Sequence, residues 1–416
     1  MTTGLTNQFD IAIVGGGTVG ISLALGLLRD TQFSIAVIEP NEFQQTATHP
    51  GFDSRCLALG NSSFEYLTGL LRNAREDDKP SFSHCPIAHI QVSDRGFVGK
   101  CNLIAEELHV AQMGMVVPIN ELGQALYKDF HAALSRCPER LRLICPATIE
   151  SANQQRDAVD LTLSTQDQLV VRMLVLADGG RSPLRQQMGF TEHSEDYQQT
   201  AIIANVQMQQ PHENRAFERF TENGPIALLP LEDFADGDTA YAGCTYSLVW
   251  TVDSADNDQL QRLVTDDDFF AQQLHQFIGK HHGRCVKVSE RACYPLALRY
   301  TEQVNQHRCV VVGNAAQTLH PIAGQGFNLG LRDVTDFVEL AATVGKDELG
   351  NWQHLHRYAS LRKPDRALLM SATDTLVRSF SNHYWPLVLG RNVGLQTMNS
   401  MAMLRNNFAR RAMGYR

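Results

Sequence analysis

Runs of apolar residues and their polar interruptions divide the chain into pieces. Residues 9–14 (FDIAIV), apolar but for Asp10, show the pattern of a short strand covered on both faces. A glycine cluster follows, and an apolar stretch from about Val19 to Leu28 predicts a helix. Residues 34–38 (SIAVI) predict a second strand that ends at Glu39, which completes a β-α-β unit within the first forty residues. Beyond it, residues 44–50 read as a loop, 54–72 as a helix and 75–83 as a polar connection. From Val117 onward Ile119, Leu122, Leu126, Phe130 and Leu134 keep to one helical face. Residues 141–150, 159–165 and 169–177 read as strands, the last running into Asp178-Gly179.

Between residues 200 and 300 the pattern changes. Segments such as AIIANVQM, IALLPL and YSLVW, set between polar turns, predict a sheet-rich second domain that walls a substrate cavity. Residues 309–313 (CVVVG) return to the buried parallel type. A helix is expected from near Gly326, burying Leu331, Val334, Phe337, Val338 and Ala341, and the rest reads as mostly helical. No repeat or low-complexity tract interrupts this order.

The chain has 416 residues, too many for one ordinary core, so two closely packed domains are expected. With 43% hydrophobic and 19% charged residues, disorder is excluded as the main state. The net charge of −9 argues against nucleic acid as a partner. The nine cysteines are scattered, odd in number and without CxxC spacing, which fits reduced cytosolic thiols and not a disulfide framework or a zinc site. The first ten residues lack a basic start and an apolar core, so no signal peptide is expected, and no run is apolar enough to span a bilayer. The expected location is therefore cytoplasmic, with any membrane contact peripheral.

Gly15-Gly16-Gly17-Thr18-Val19-Gly20 is a G-x-G-x-x-G loop. Alone it is a weak signal. Here it follows a strand, opens a helix, and has Glu39 at the end of the next strand, 19 residues past Gly20. Gly15 permits the tight turn, Gly17 lets backbone approach a pyrophosphate, and Gly20 lets helix pack on strand. The unpaired N–H groups of the helix start, at Thr18 and Val19, face the phosphates, and Glu39 can accept from a ribose diol. The loop does not separate NAD from FAD.

Two later segments bear on that choice. One is Ala177-Asp178-Gly179-Gly180-Arg181-Ser182-Pro183. The other runs from Gly313-Asn314 through Gln317 and His320-Pro321 to Gly324, Gly326, Phe327, Asn328 and Gly330. With the first loop they resemble the aromatic-hydroxylase flavoproteins of the para-hydroxybenzoate hydroxylase fold. The resemblance implies that the first loop holds the ADP half of FAD and that Asp178 lies near both flavin and reductant. It implies that Gly313, Asn314, Pro321, Gly324, Gly326, Phe327 and Asn328 follow the pyrophosphate, ribityl chain and ring. Arg55 matches an arginine of that family which contacts the cofactor. Only one G-x-G-x-x-G is present, so NAD(P)H is expected as a transient reductant; the resemblance implies O2 as co-substrate. Most members resembling this pattern carry Gly-Asp where this chain has Gly313-Asn314, and His where it has Gln317.

GNAAQTLHPIAGQGFNLG, HPGFDSR (49–55), AFERFT (216–221), SLVW (247–250), YPLAL (294–298) and GRN (390–392) narrow the resemblance to the hydroxylases of ubiquinone biosynthesis. The Asn314/Gln317 pair resembles the branch acting on 2-polyprenyl-6-methoxyphenol. The resemblance implies an α/β fold: a Rossmann-like FAD-binding domain (1–75, 116–185, 301–375), an inserted sheet-rich substrate domain (76–115, 186–300) and a helical C-terminal region (376–416). It implies hydroxylation of an electron-rich polyprenylphenol through a C4a-hydroperoxyflavin. A sibling hydroxylase acting at another ring position, a flavoprotein oxidase or dehydrogenase, and a noncatalytic flavin-bearing subunit are the alternatives. The lysine-centred Trp-x-Trp-x-Ile segment usual in halogenases of this fold is not found.

No catalytic base is identified by the sequence. His320, beside the flavin loop, is the candidate, against the alternative of a histidine bonded only for loop structure. At the other end, no acidic residue follows Asp374, while Arg378, Arg391, Arg405, Arg410, Arg411 and Arg416 do. Met401, Leu404, Phe408 and Ala412 share a helical face, and Trp385, Leu387, Val388 and Leu389 add apolar surface. The region 376–416 is read as docking on anionic lipid or on a partner of a biosynthetic complex, or else as an ordinary terminal helix with a solvated basic face.

Overall fold

The apolar runs pair side by side as their composition demands. The computed structural model describes residues 7–42, 55–71, 80–233, 239–380 and 384–415. Strand Gln8–Val14 pairs in parallel with Ile35–Ile38 on one side and with Gln168–Leu176 on the other. Cys309–Val311 extends the sheet beyond Gln168–Leu176, and Leu141–Ile144 extends it beyond Ile35–Ile38. Strands of this kind need both faces covered. Helix α1 (Thr18–Asp30) covers one face and packs against α2 (Asn61–Leu71) and α3 (Ile119–Arg136). Ile11, Ile13, Val37, Leu174 and Val310 lie fully buried at the centre.

After the short α4 (Leu184–Gln187) the chain enters a nine-stranded sheet. Its central strands are Ala292–Thr301, Glu192–Met208, Thr245–Asp253, Gly224–Pro230 and Arg215–Thr221, in that spatial order. His89–Asp94 joins the last of these in parallel and brings Lys100–Ile104 with it. Alternation gives this sheet two different faces. Tyr246, Leu248, Trp250 and Val252 pack toward α5 (Asn257–Thr265) and α6 (Asp267–Ile278). Trp250 meets Phe270 edge-on at 5.6 Å. Val249 and Ile203 point the other way and line a cavity. The chain ends in α7 (Gln325–Ala341), α8 (Trp352–Phe380), α9 (Trp385–Ser400) and α10 (Ala402–Ala412), and the last three form a further wall of that cavity.

Three expectations change. The helix expected over 54–72 is a strand, Cys56–Gly60, followed by α2 from Asn61. The strand pairs antiparallel with Gly114–Pro118, itself paired with Cys85–Ile87, in a small separate sheet. Five apolar or small residues (CLALG) carry no decisive period, so the partner strand settled the conformation. For the same reason Val117 lies in the strand Gly114–Pro118 instead of opening α3, which begins at Ile119. The region 200–300 also holds α5 and α6, which the strand-and-turn reading missed. Their starts are written in Asp256 and Asp266, whose carboxylates accept from the Gln259 and Phe269 N–H groups at 2.9 Å each. The loop expected at 44–50 and residues 75–79 lie outside the described residues.

Among the described residues no helix is long and apolar enough to cross a membrane.

Candidate active site

The glycine loop behaves as its spacing requires. Gly15 has φ +108°, and a Cβ there would stand 2.6 Å from the Ala177 carbonyl oxygen. A Cβ on Gly20 would overlap the Gly15 carbonyl oxygen, so Gly20 serves helix–strand contact and does not border the cavity. Gly17 is different: a Cβ there would meet no protein atom within 4 Å. The same holds at Gly179 and Gly326. All three line the cavity, so bare backbone borders it at three points drawn from three distant segments.

The cavity has a volume of about 1960 Å3 and is lined by Gly15, Gly17, Thr18, Val19, Glu39, Arg55, Asp178, Gly313, Asn314, Pro321, Gly324, Gly326, Phe327 and Asn328. Of the residues singled out in the three glycine-rich segments, Gly16, Gly20, Gly180, Gln317 and His320 stand off its wall. Glu39 is buried, and its carboxylate accepts from the Gly16 N–H at 2.7 Å and from both nitrogens of Asn41. Asp178 accepts from the Gly180 and Ser182 N–H groups, while burial pushes its carboxyl pKa up against those bonds. The Arg55 guanidinium lies over the Tyr294 ring, 4.9 Å from its centroid, which links the small sheet to the large one. Residues 49–54 of the matching segment lie outside the described residues.

Helix α7 starts where Gly324, at φ +61°, turns the chain. Neither α1 nor α7 carries an acidic residue in its first turn, and the positive ends of both helix dipoles stand at the cavity wall. Asn328 is committed to the protein. Its Oδ1 accepts from the Gly60 N–H at 2.8 Å, and its Nδ2 donates to the carbonyls of Ala58 and Gly324 at 2.8 and 2.9 Å. It therefore fastens strand Cys56–Gly60 to the start of α7.

The sequence reading missed what holds the Gly313-Asn314 turn. Asp333, buried in α7, accepts from the Gly313 N–H at 3.0 Å and from Gln317 Nε2 at 2.8 Å. Its other oxygen takes Arg362 Nε at 2.7 Å. Arg362 is fully buried and also reaches Asp336 and Asp365. Burial opposes its charge, but Asp333 and the neighbouring acids outweigh that and raise its pKa. Arg366 donates to Gln317 Oε1 at 2.6 Å and to the Thr301 carbonyl. Asn314 itself is exposed to the cavity. Thus Gln317 spends both ends of its amide within this network, and the turn is held from behind. Three charged side chains in helical segments, Asp333, Arg362 and Arg366, were the available signal, but their burial is visible only in three dimensions.

His320 is 1% exposed. Its Nε2 stands 3.2 Å from Gln199 Oε1, which only accepts, so the proton sits on Nε2. Nδ1 has no hydrogen-bond partner among the described residues. Burial pushes the His320 pKa down to about 4, so the ring is neutral at pH 7.

Away from the glycine loops the cavity becomes apolar. Ile203, Phe217, Leu229 and Val249 of the large sheet line it together with Leu376, Phe380, Leu395 and Met398 of α8 and α9. Gly390 and Gly394, one turn apart on α9, also face it, and a Cβ on either would meet nothing within 4 Å. The basic tail is less free than its sequence suggests. Arg378 pairs with Asp374 and Glu195, Arg391 with the buried Asp94, and Arg405 with Glu107.

Comparison with known proteins agrees with this geometry. Residues 8–373 match the family described as FAD binding domain. Ubiquinone hydroxylase UbiL of Rhodospirillum rubrum is 34% identical over 97% of this chain and 89% of its own length. The 3-demethoxyubiquinol 3-hydroxylase of Escherichia coli is 30% identical over 99% of this chain and all of its own. The crystal structure of p-nitrophenol 4-monooxygenase from Pseudomonas putida superposes with a TM-score of 0.75 over 98% of this chain and 99% of that one, at 15% identity, and so shares the fold. A cavity bordered by bare backbone at three glycines and two helix starts fits a flavin dinucleotide, and the chain belongs to the FAD-binding family as an FAD-dependent monooxygenase.

Proposed function

We propose that this enzyme hydroxylates a polyprenylated phenol of ubiquinone biosynthesis, with 2-polyprenyl-6-methoxyphenol as the substrate. The observation that carries this is the cavity itself. Sites for drug-sized ligands fill about 300–1,000 Å3, and this one reaches about 1960 Å3. It joins a polar end built of backbone to an apolar end built of two sheet-and-helix walls. A dinucleotide alone has no use for the second end, and a long hydrocarbon tail does. The relatives named for ubiquinone hydroxylation support the same class.

Bound FAD, reduced by NAD(P)H, supplies the oxygen-activating chemistry. The chain's own residues do the rest. Gly15, Gly17, Thr18 and Val19 with Glu39 take the ADP half, and Arg55, Asp178 and the Gly313-Asn314 turn take the middle. Pro321, Gly324, Gly326 and Phe327 present backbone to the ring, where the α7 start favours negative charge. This assigns 1–75, 116–185 and 301–375 to the flavin-binding body. The apolar walls exclude water and hold the substrate tail, leaving the phenol ring as the end that reaches the flavin. His320 supports the loop from behind through Gln199, and a His320→Ala enzyme with full turnover and bound FAD would remove it from the catalytic set.

Mass spectrometry of quinone intermediates in a deletion strain tests the substrate. Accumulated 2-polyprenyl-6-methoxyphenol is the expected result. An intermediate lacking a different hydroxyl would move the enzyme to a sibling ring position.

A further inference from the structure

The helix that walls the apolar end has a second apolar face. On α9, Leu387, Gly390, Gly394 and Met398 turn toward the cavity. Trp385, Leu389 and Val393 recur every fourth residue on the opposite side and are 71%, 57% and 55% exposed. A packed terminal helix has no reason for such a stripe. The stripe does not end with the helix. Phe97 and Val98, at the turn between strands His89–Asp94 and Lys100–Ile104, are exposed, and Gln396 of α9 holds the Val98 carbonyl at 2.7 Å. The same hairpin is fixed to α9 by Asn392, which bonds the Gly99 N–H at 2.8 Å. The exposed apolar groups therefore sit on a braced surface.

The surface meets the cavity. Leu368, Leu387, Leu404 and Phe408 are each both exposed and cavity-lining, so they rim an opening between α8, α9 and α10. Arg410 and Arg411 are exposed on α10, and residues 384–415 contain no acidic side chain. Tyr384 and Trp385 stand exposed at the start of α9. Apolar stripe, interfacial aromatics and exposed arginines together have the chemistry of a helix lying in a headgroup layer.

We propose that α9, α10 and the Phe97–Val98 turn dock on the surface of an anionic phospholipid bilayer and set the rimmed opening against it. The exposed aromatics Tyr384 and Trp385 together with the exposed Arg410 and Arg411 commit the surface to lipid headgroups, and a protein face or a second copy of the chain is an outcome of the test. The purpose of the opening rests on the polyprenyl reading above; the docking itself does not.

The test is flotation of the flavin-loaded full-length protein with vesicles of phosphatidylcholine, with and without phosphatidylglycerol. The partner is the triple variant Trp385→Ser, Leu389→Ser, Val393→Ser, whose sites lie off the cavity wall. The wild type is expected to float with the anionic vesicles and to release as salt rises. The triple variant is expected to lose at least about tenfold in partition, with its bound-flavin absorbance, melting temperature and turnover of a short-tailed soluble phenol unchanged. A second variant, Arg410→Gln, is expected to weaken binding to anionic vesicles and leave the weak binding to neutral ones. Wild type that stays in the aqueous phase, or a triple variant that floats equally, would overturn the proposal. So would a wild-type dimer that the triple variant dissolves, since the stripe would then belong to a second copy. Failure of phenol turnover in all proteins, with flotation intact, would strike the substrate reading and leave the docking standing.

Discussion

The two ends of the cavity are made by different means. The polar end consists of short loops in which glycine, a helix start or one buried carboxylate does a local task. Each task demands a residue type at a fixed spacing, as at Gly15, Gly20 and Glu39. The apolar end has no such rule. Ile203, Val249, Leu395 and Met398 come from elements far apart in sequence, and any well-fitting hydrocarbon would serve. Specificity for a dinucleotide is therefore written in backbone geometry, and specificity for a tail in the volume left between walls.

The largest effect should come from breaking the support behind the polar end. Arg362→Met leaves Asp333 and Asp336 buried without their cation, which costs about 3–5 kcal/mol. Denaturant unfolding checks the loss, and flavin should dissociate more readily because Asp333 also holds Gly313. Gly17→Ala sharpens the contrast. Its Cβ meets no protein atom, so the melting temperature of the flavin-free protein should hold while FAD affinity falls at least tenfold, about 1.4 kcal/mol. Equilibrium dialysis separates the two readouts.

The apolar end gives the complementary result. Gly394→Leu adds a side chain on the cavity side of α9. The KM for a long-tailed phenol should rise roughly fivefold to tenfold, about 1–1.4 kcal/mol, with FAD affinity and the KM for a short-tailed analogue unchanged. Equal effects on both substrates would show that the tail does not lie there.

The smallest effect is electrostatic. His282, His320 and His354 have pKa values pushed down to about 4, chiefly by burial. The unfolded chain takes up these protons near pH 6.5, ahead of the folded one. Stability is thus fully present above that value and is lost as pH falls from 6.5 toward 4. Between pH 6.5 and 5.5 each histidine accounts for about 1 kcal/mol. His320→Gln should flatten the profile by one such share, measured by urea midpoints across pH.

The same division explains what could be read in advance. The β-α-β unit, its glycine loop and the strand at 309–313 were legible because a buried parallel strand and a dinucleotide turn tolerate few alternatives. Cys56–Gly60 was not, since only pairing with Gly114–Pro118 and the Asn328 clamp make it a strand. The Asp333–Arg362 network escaped for a related reason: charged residues on a helix read as solvated until a second helix covers them. In the tail, the arginine excess was visible, but the partners Asp94 and Glu107 lie about 300 residues away in sequence.

The central claim is that one cavity holds a flavin at one end and a prenylated phenol at the other, and that the two react. Turnover of the flavin-loaded enzyme under isotopically labelled O2, with NAD(P)H and a polyprenylphenol, tests it most directly. The expected result is one labelled oxygen atom in each hydroxylated product, with reductant consumption that rises with the phenol. Reductant oxidised at the same rate without substrate, yielding peroxide and no labelled phenol, would contradict it.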